Sequence, residues 1–272
     1  MPVLPPIIGR QSETESLHAC LEAGRHVLLE GPVGVGKTAL AAAICRTLGR
    51  GFVRVDGDGR YTEARLVGTF DPPAVLASGY RPEHFLAGPL VRAMREGAVL
   101  FVNELNRMPE GVQNVLLPAM DEGRVVVPQL GEVTASAGFT VIATQNPAEF
   151  VATAALSEAL LDRFELVRLD YQSEAEEIAI VVQDARCAPS LAVVAQAVAL
   201  TRATRTDPRF RRGASVRAAI AISDIAARLH DDVARAATLA LPTRVELMDP
   251  TGTALGEVLA DLKKKLAATR PT

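Results

Sequence analysis

Residues Gly31, Pro32, Val33, Gly34, Val35, Gly36, Lys37 and Thr38 match the pattern G-x-x-x-x-G-K-[ST], and their setting constrains the fold strongly. A short apolar run at residues 27–29 precedes them. A helical pattern follows (Leu40, Ala41, Ile44, Leu48) and stops at Gly49. Strand, glycine-rich turn and helix together let backbone N–H groups curl round an anion, while the helix N-terminus adds positive potential. All eight residues, with Ala39 after them, are therefore candidate phosphate-binding positions. Lys37 supplies a compact ammonium for the β- and γ-phosphates of a nucleotide. The Thr38 hydroxyl is a candidate Mg²⁺ ligand. Composition singles out the same lysine. Of 29 basic side chains only Lys37, Lys263, Lys264 and Lys265 are lysines, and every other cation is arginine, whose planar fork suits a backbone cradle poorly.

The rest of the chain supports an α/β reading. Residues 52–55, 98–102, 139–143 and 166–169 read as further strands, and helical segments lie between them. The run at 98–102 is apolar without alternation, as in a strand covered on both faces. Five strands alternating with helices predict a parallel, doubly wound sheet in an α-β-α sandwich. After Tyr171 strand signals nearly vanish. Ser173 with Glu176 forms a capping box opening a helix to about Ala185, and helices are expected over 191–203 and 215–229, with Ile222, Ile225, Ala226 and Leu229 on one face. Val258, Leu262 and Leu266 mark a last amphipathic helix. Ser12 with Glu15 reads as another capping box, opening a helix that buries Leu17 and Leu21 and ends at Gly24. The expected organisation is an α/β domain over 1–170 and a smaller helical domain over 171–272.

The strand at 98–102 ends in Asn103 and Glu104. In open α/β sheets, groups at the C-terminal strand edge act beside the phosphate loop. Glu104 is the candidate general base that polarises an attacking water. Asn103 stands where phosphate-loop enzymes usually carry aspartate; its amide oxygen accepts from a magnesium-bound water but brings no charge.

These segments resemble an AAA+ ATPase, and more narrowly the MoxR family. The resemblance is carried, in order, by Ile8 to Arg10, Leu28 to Thr38, Gly88 to Leu90, Asn103 to Arg107, Ala143 to Pro147, Leu161 to Phe164 and Gly213 to Arg217. It implies a five-stranded AAA+ large domain with a helical lid, ATP and Mg²⁺ as cofactors, and a ring, by family expectation a hexamer. It implies that Asn146 is the sensor-1 residue, Arg163 an arginine finger reaching a neighbouring subunit, Arg217 the sensor-2 residue, and Ile7, Ile8 and Gly9 the flank of the adenine. Arg107 becomes a candidate second intersubunit contact. Inserts at 67–88 and 125–133 fall where the family carries hairpins that face the pore or a partner, with Tyr80, Phe85 and Leu130 as residues of interest. The implied activity is that of a chaperone or remodeller working with a partner that contains a von Willebrand factor A domain. Two stretches depart from the family pattern: Asn103, and Phe150 to Ala159.

A net charge of −3, 4% aromatic residues and no tryptophan disfavour nucleic acid and anionic membrane as partners. The three cysteines are scattered and form no Cys-x-x-Cys, so a disulfide framework or zinc site is not expected, and small buried thiols are. No signal-peptide pattern or membrane-length apolar run appears, so a cytoplasmic location without membrane contact is expected. The four histidines lack ligand spacing and read as surface or cap residues. Arg209, Arg211 and Arg212 read as a solvated loop. Two alternatives stay open. One is a nucleotide-controlled binding switch with slow hydrolysis, motivated by Asn103. The other, disfavoured by charge and composition, is a nucleic-acid motor.

Overall fold

The computed structural model describes residues 6–146, 155–249 and 255–268. The chain divides into two compact units. One comprises residues 10–32 and 36–170, the other residues 1–9, 33–35 and 171–272.

The first unit is built on a five-stranded parallel sheet. Its strands are β1 (His26–Glu30), β2 (Phe52–Asp56), β3 (Val99–Asn103), β4 (Thr140–Gln145) and β5 (Phe164–Arg168), in the order β2-β3-β4-β1-β5. Each expected strand is present, with ends shifted by one or two residues. Burial follows position in the sheet. Val99, Leu100, Phe101 and Val102 of central β3 are all fully buried, whereas edge strand β2 alternates, with Val53 and Val55 inward and Arg54 and Asp56 outward. Burial of one such β3 side chain contributes about 1.5–3 kcal/mol, which is why a non-alternating run marks a strand covered on both faces.

Helix α1 (Gln11–Glu22) buries Leu17 and Leu21 and ends two residues before Gly24, close to the expected stop. Its start differs. Arg10, at φ 66°, is the N-cap residue, and Ser12 lies inside the first turn, so the Ser12–Glu15 capping box does not form. The side chain of Arg10 fixes that entry instead, donating to Glu13 at 2.6 Å and to the Asp170 carbonyl. Helix α2 (Lys37–Thr47) follows the phosphate loop and buries Leu40, Ala41, Ile44 and Cys45. Cys45 is an interior thiol whose pKa burial pushes up to about 11; Cys20 and Cys187 are partly exposed.

Both inserts are hairpins. Gly68–Phe70 pairs antiparallel with Phe85–Ala87, and Arg124–Val127 pairs antiparallel with Gly131–Thr134. Phe85 corrects the expectation of a surface contact. It is buried in the main core and packs edge-on against Phe70. Tyr80 is exposed, and Leu130 is partly buried against the same core. His26 is a second correction. Its Nδ1 accepts from the Val141 N–H at 2.9 Å and its Nε2 donates to the Met120 carbonyl at 3.2 Å, so the ring ties β1 to its surroundings as a neutral imidazole.

The second unit is mostly helical: α3 (Glu174–Asp184), α4 (Leu191–Thr206), α5 (Val216–Ala226), α6 (Val233–Ala240) and α7 (Leu255–Ala268). Ser173 and Glu176 form the expected capping box on α3. Ile222 and Ala226 of α5 are fully buried. Helix α6, capped by Asp232 on the Arg235 N–H, is absent from the sequence reading; it is a short octet that buries Val233, Ala236, Ala237 and Ala240 along one face. A short antiparallel pair, Phe210–Arg212 with Glu246–Leu247, also lies here. Two of the three arginines here are paired rather than merely solvated: Arg209 bridges Asp207 and Asp261, and Arg211 meets Glu246.

Candidate active site

The loop after β1 has the geometry its glycines imply. Gly36 adopts φ 93° and caps α2, a conformation that a side chain disfavours and that turns the first helical N–H groups toward the loop. At Gly31 the reason is space, since a Cβ there would lie 2.0 Å from the Leu169 carbonyl oxygen. Lys37 Nζ donates to the carbonyls of Gly31 at 2.5 Å and Pro32 at 2.9 Å, which folds its charge back over the loop. Thr38 follows in the first turn of α2, half-buried, with Ala39 exposed beside it. The tip, Val33, Gly34 and Val35, groups with the helical unit. There a Cβ on Gly34 would lie 2.4 Å from Ser215 Oγ and 3.9 Å from Cδ of Arg217. Arg217 itself is exposed in the first turn of α5. Ile8 and Gly9 belong to the same helical unit. The Ile8 carbonyl accepts from Gln172 Nε2 at 2.5 Å, and Gly9 backs onto Glu176.

The C-terminal ends of the five strands carry a nearly continuous polar row. On one side Glu30 of β1 accepts from Gln145 Nε2 of β4 at 2.7 Å and from Arg168 of β5 at 3.2 Å. On the other, the Glu104 N–H donates to Thr144 Oγ1 at 2.8 Å, Thr144 Oγ1 donates to Asn103 Oδ1 at 3.1 Å, and Asn103 Nδ2 donates to Asp56 Oδ1 at 3.0 Å. Asn103 and Glu104 are thus brought together through fully buried Thr144. Glu104 sits at φ 55°, ψ 53°, a left-handed conformation rare for a residue with a side chain and found at functional sites. Its carboxylate is held by Arg107 at 2.8 Å and stays about one-third exposed. Asn146 follows β4 directly and is buried.

Arg163 lies elsewhere, between the short helix Glu158–Leu161 and β5, with its guanidinium forked onto Asp121. Residues 147–154, which include Pro147 and part of the divergent stretch at Phe150 to Ala159, lie outside the described residues.

Thr144 and Asp56 are site residues that the motifs did not single out. Thr144 lies within the segment from Ala143 to Pro147, and Asp56 is the residue after the second expected strand. Both obey the rule that strand C-termini carry the chemistry. The donor set suits magnesium with nucleotide. Among the described residues no group of three or more His, Cys, Asp or Glu side chains forms a metal cage. What is present is a hydroxyl, an amide and one or two carboxylates, the kind of sparse oxygen set that Mg²⁺ uses when phosphates supply the rest.

Comparison with known proteins agrees with this geometry. Residues 26–164 match the AAA domain of the dynein-related subfamily. The chain belongs to this AAA family. It is 32% identical over 200 residues to the gas vesicle ATPase GvpN of Haloferax mediterranei, a match covering 66% of this chain and 58% of that one. To GvpN of Ancylobacter aquaticus it is 30% identical over 223 residues, covering 76% and 62%. The chain therefore spans about six-tenths of the length of these two relatives. A longer match, 32% identity over 283 residues and 89% and 83% of the two chains, is to the uncharacterised protein YeaC of Bacillus subtilis. Among solved structures, the Thermotoga maritima RuvB Holliday junction branch migration motor superposes with a TM-score of 0.52 at 20% identity, covering 95% of this chain and 70% of that one, which establishes the shared fold. The expected AAA+ phosphate-loop fold and MoxR-like grouping are borne out. Among the described residues no helix is long and apolar enough to cross a membrane.

Proposed function

We propose that this chain hydrolyses ATP with magnesium as a ring-forming, MoxR-like remodeller of a partner protein or complex. The observation that carries the reading is the strand-end row: a left-handed Glu104 anchored through its N–H to Thr144, in the same unit as the loop that holds Lys37. In this reading Gly31 to Ala39 hold the phosphates, and Ile8 and Gly9 flank the adenine. Thr38 and Asn103 would hold Mg²⁺, which would supply Lewis-acid neutralisation of phosphate charge. Glu104 orients and deprotonates the attacking water, with Arg107 keeping its carboxylate from swinging into solvent. Asn146 holds that water, and Arg217 contacts the terminal phosphate.

Arg163 is assigned to a neighbouring subunit's nucleotide, which makes a ring, hexameric by family expectation, the working state. A von Willebrand factor A domain protein is the proposed partner class, the cytoplasm the proposed location, and the large domain at 1–170 with a lid at 171–272 the proposed division of labour. The abundance of AAA+ rings supports the oligomer; the family resemblance alone supports the partner.

ATP turnover of wild type, Lys37→Ala, Glu104→Gln and Arg163→Ala tests this reading, measured against protein concentration. Lys37→Ala should lose nucleotide binding. Glu104→Gln should bind and not turn over. Arg163→Ala should bind normally and recover activity when mixed with Glu104→Gln, since each supplies what the other lacks. Full activity of Arg163→Ala alone would remove the intersubunit role.

A further inference from the structure

The polar row continues outward past Asn103. Its Nδ2 donates to Asp56 on edge strand β2, whose carboxylate is in turn forked by Arg54 at 2.7–3.2 Å. The strand ends are locked at this point, with the Gly57 N–H donating to the Asn103 carbonyl at 2.7 Å. The sense of the Asn103 amide is fixed by chemistry. An ionised carboxylate only accepts, so the NH₂ faces Asp56 and Oδ1 faces inward to the Thr144 hydroxyl. The Arg54 guanidinium forks onto the same carboxylate, its Nη2 2.7 Å from Oδ1, and this ion pair favours the charged form of Asp56.

We propose that Asp56 and Asn103 are a transposed carboxylate–amide pair. Asp56 carries from β2 the negative charge that an aspartate at position 103 would otherwise carry, and it positions the Asn103 oxygen toward the magnesium side of the strand edge. The inference rests on the magnesium-nucleotide reading above. It accounts for the asparagine. With Asp56 Oδ1 3.0 Å from the Asn103 side chain, an aspartate there would face a second carboxylate at hydrogen-bond distance and be repelled. One charge is present in either arrangement, and here it sits one strand further out. Asp56 is thus a positioning residue, acting on the metal's water shell through Asn103.

The test is a swap. Wild type, Asp56→Asn, Asn103→Asp and the double variant Asp56→Asn/Asn103→Asp are compared with Asp58→Asn, a partly exposed aspartate nearby whose carboxylate engages Arg60. The readout is the Mn²⁺ concentration for half-maximal binding, followed by electron paramagnetic resonance with a saturating non-hydrolysable ATP analogue. Asp56→Asn should raise that concentration about tenfold, the scale seen when an outer-shell partner of a metal is lost. The double variant should return to within about threefold of wild type, and Asp58→Asn should match wild type.

Melting of the metal-free proteins gives a second readout. Asn103→Asp alone should lower the melting temperature, and adding Asp56→Asn should restore it. The proposal is overturned if Asp56→Asn binds Mn²⁺ as wild type does, if Asp58→Asn shows the same loss, or if the double variant is no better than Asp56→Asn. Wild-type nucleotide binding that ignores divalent cations would overturn the magnesium reading itself. Divalent-dependent wild type with an unaltered Asp56→Asn would overturn only the transposed pair.

Discussion

Arg163 and Asp121 form a bidentate ion pair, Nε to Oδ1 at 2.6 Å and Nη2 to Oδ2 at 2.5 Å, while the remaining Nη1 donates to the Ala159 carbonyl. The residue proposed to serve a neighbouring subunit is therefore engaged within its own chain. Both side chains remain partly exposed, and such pairs are easily exchanged for water. Asp121→Asn should consequently change ATP turnover by no more than about threefold, whereas Arg163→Ala should lower it by on the order of a thousandfold with nucleotide affinity retained. Steady-state turnover beside equilibrium binding of a fluorescent nucleotide separates the two. Loss of turnover in Asp121→Asn as deep as in Arg163→Ala would show that the pair is required rather than incidental.

Lys37 in a chain otherwise dominated by arginine invites a direct exchange. Its ammonium reaches two loop carbonyls, Gly31 and Pro32, from the first helical position. A guanidinium is longer and planar and does not satisfy both while facing a phosphate. Lys37→Arg is expected to weaken ATP binding by at least about a hundredfold, in line with loss of a preorganised charge, with an unchanged melting temperature. Retained affinity would mean that the scarcity of lysine is compositional only.

His26 gives the first unit a pH response. Burial is the main cause that pulls its pKa below the ordinary 6.5, and nearby Arg25 adds to it; the Met120 carbonyl and Asp121 oppose. Protonation would also end acceptance from the Val141 N–H. The folded state binds its proton later than the unfolded chain does, so this contribution to stability is complete above about pH 6.5 and declines as the pH falls below it. Denaturant midpoints of wild type between pH 7.5 and 5.5 should fall, and His26→Gln should flatten that slope. A slope identical in the variant would assign it to other groups.

Much of this was legible in the residues because the phosphate loop needs a strand, a turn and a helix in a fixed order, and because a buried parallel strand such as Val99–Asn103 cannot alternate. Where local patterns misled, tertiary contacts decided. Ser12 lost the cap position because Arg10 reaches both Glu13 and the Asp170 carbonyl. His26 carries no ligand spacing, yet a single histidine between two backbone groups needs none. Asp56 and Thr144 stayed hidden for a geometric reason. They lie 47 and 41 residues from Asn103 in the chain and meet it only across strand ends. Helix α6 has a regular buried face, but it is only eight residues long and three of the four side chains on that face are alanines, too small to mark a stripe in the sequence.

The helical unit contains a buried ion cluster that no motif announced. Glu177 is only 3% exposed, and its two oxygens accept from Arg205 at 2.7 Å and Arg202 at 3.2 Å. Arg205 also donates to the Ala214 carbonyl and lies 3.8 Å over the Tyr171 ring. Truncating Glu177 would leave two guanidinium groups facing an apolar site, one of them almost wholly buried, so Glu177→Ala should cost about 3–5 kcal/mol in urea unfolding. Removing the charge on both sides is a different experiment. Glu177→Leu with Arg205→Met takes away the desolvated pair together, and Arg202, one-third exposed, has water as an alternative. The double variant should therefore be more stable than Glu177→Ala, because replacing a buried pair by apolar groups of similar size is often neutral. If it is instead the less stable of the two, the bonds of Arg205 to Ala214 and Tyr171 outweigh its pairing with Glu177, and the cluster is held together by arginine packing rather than by charge.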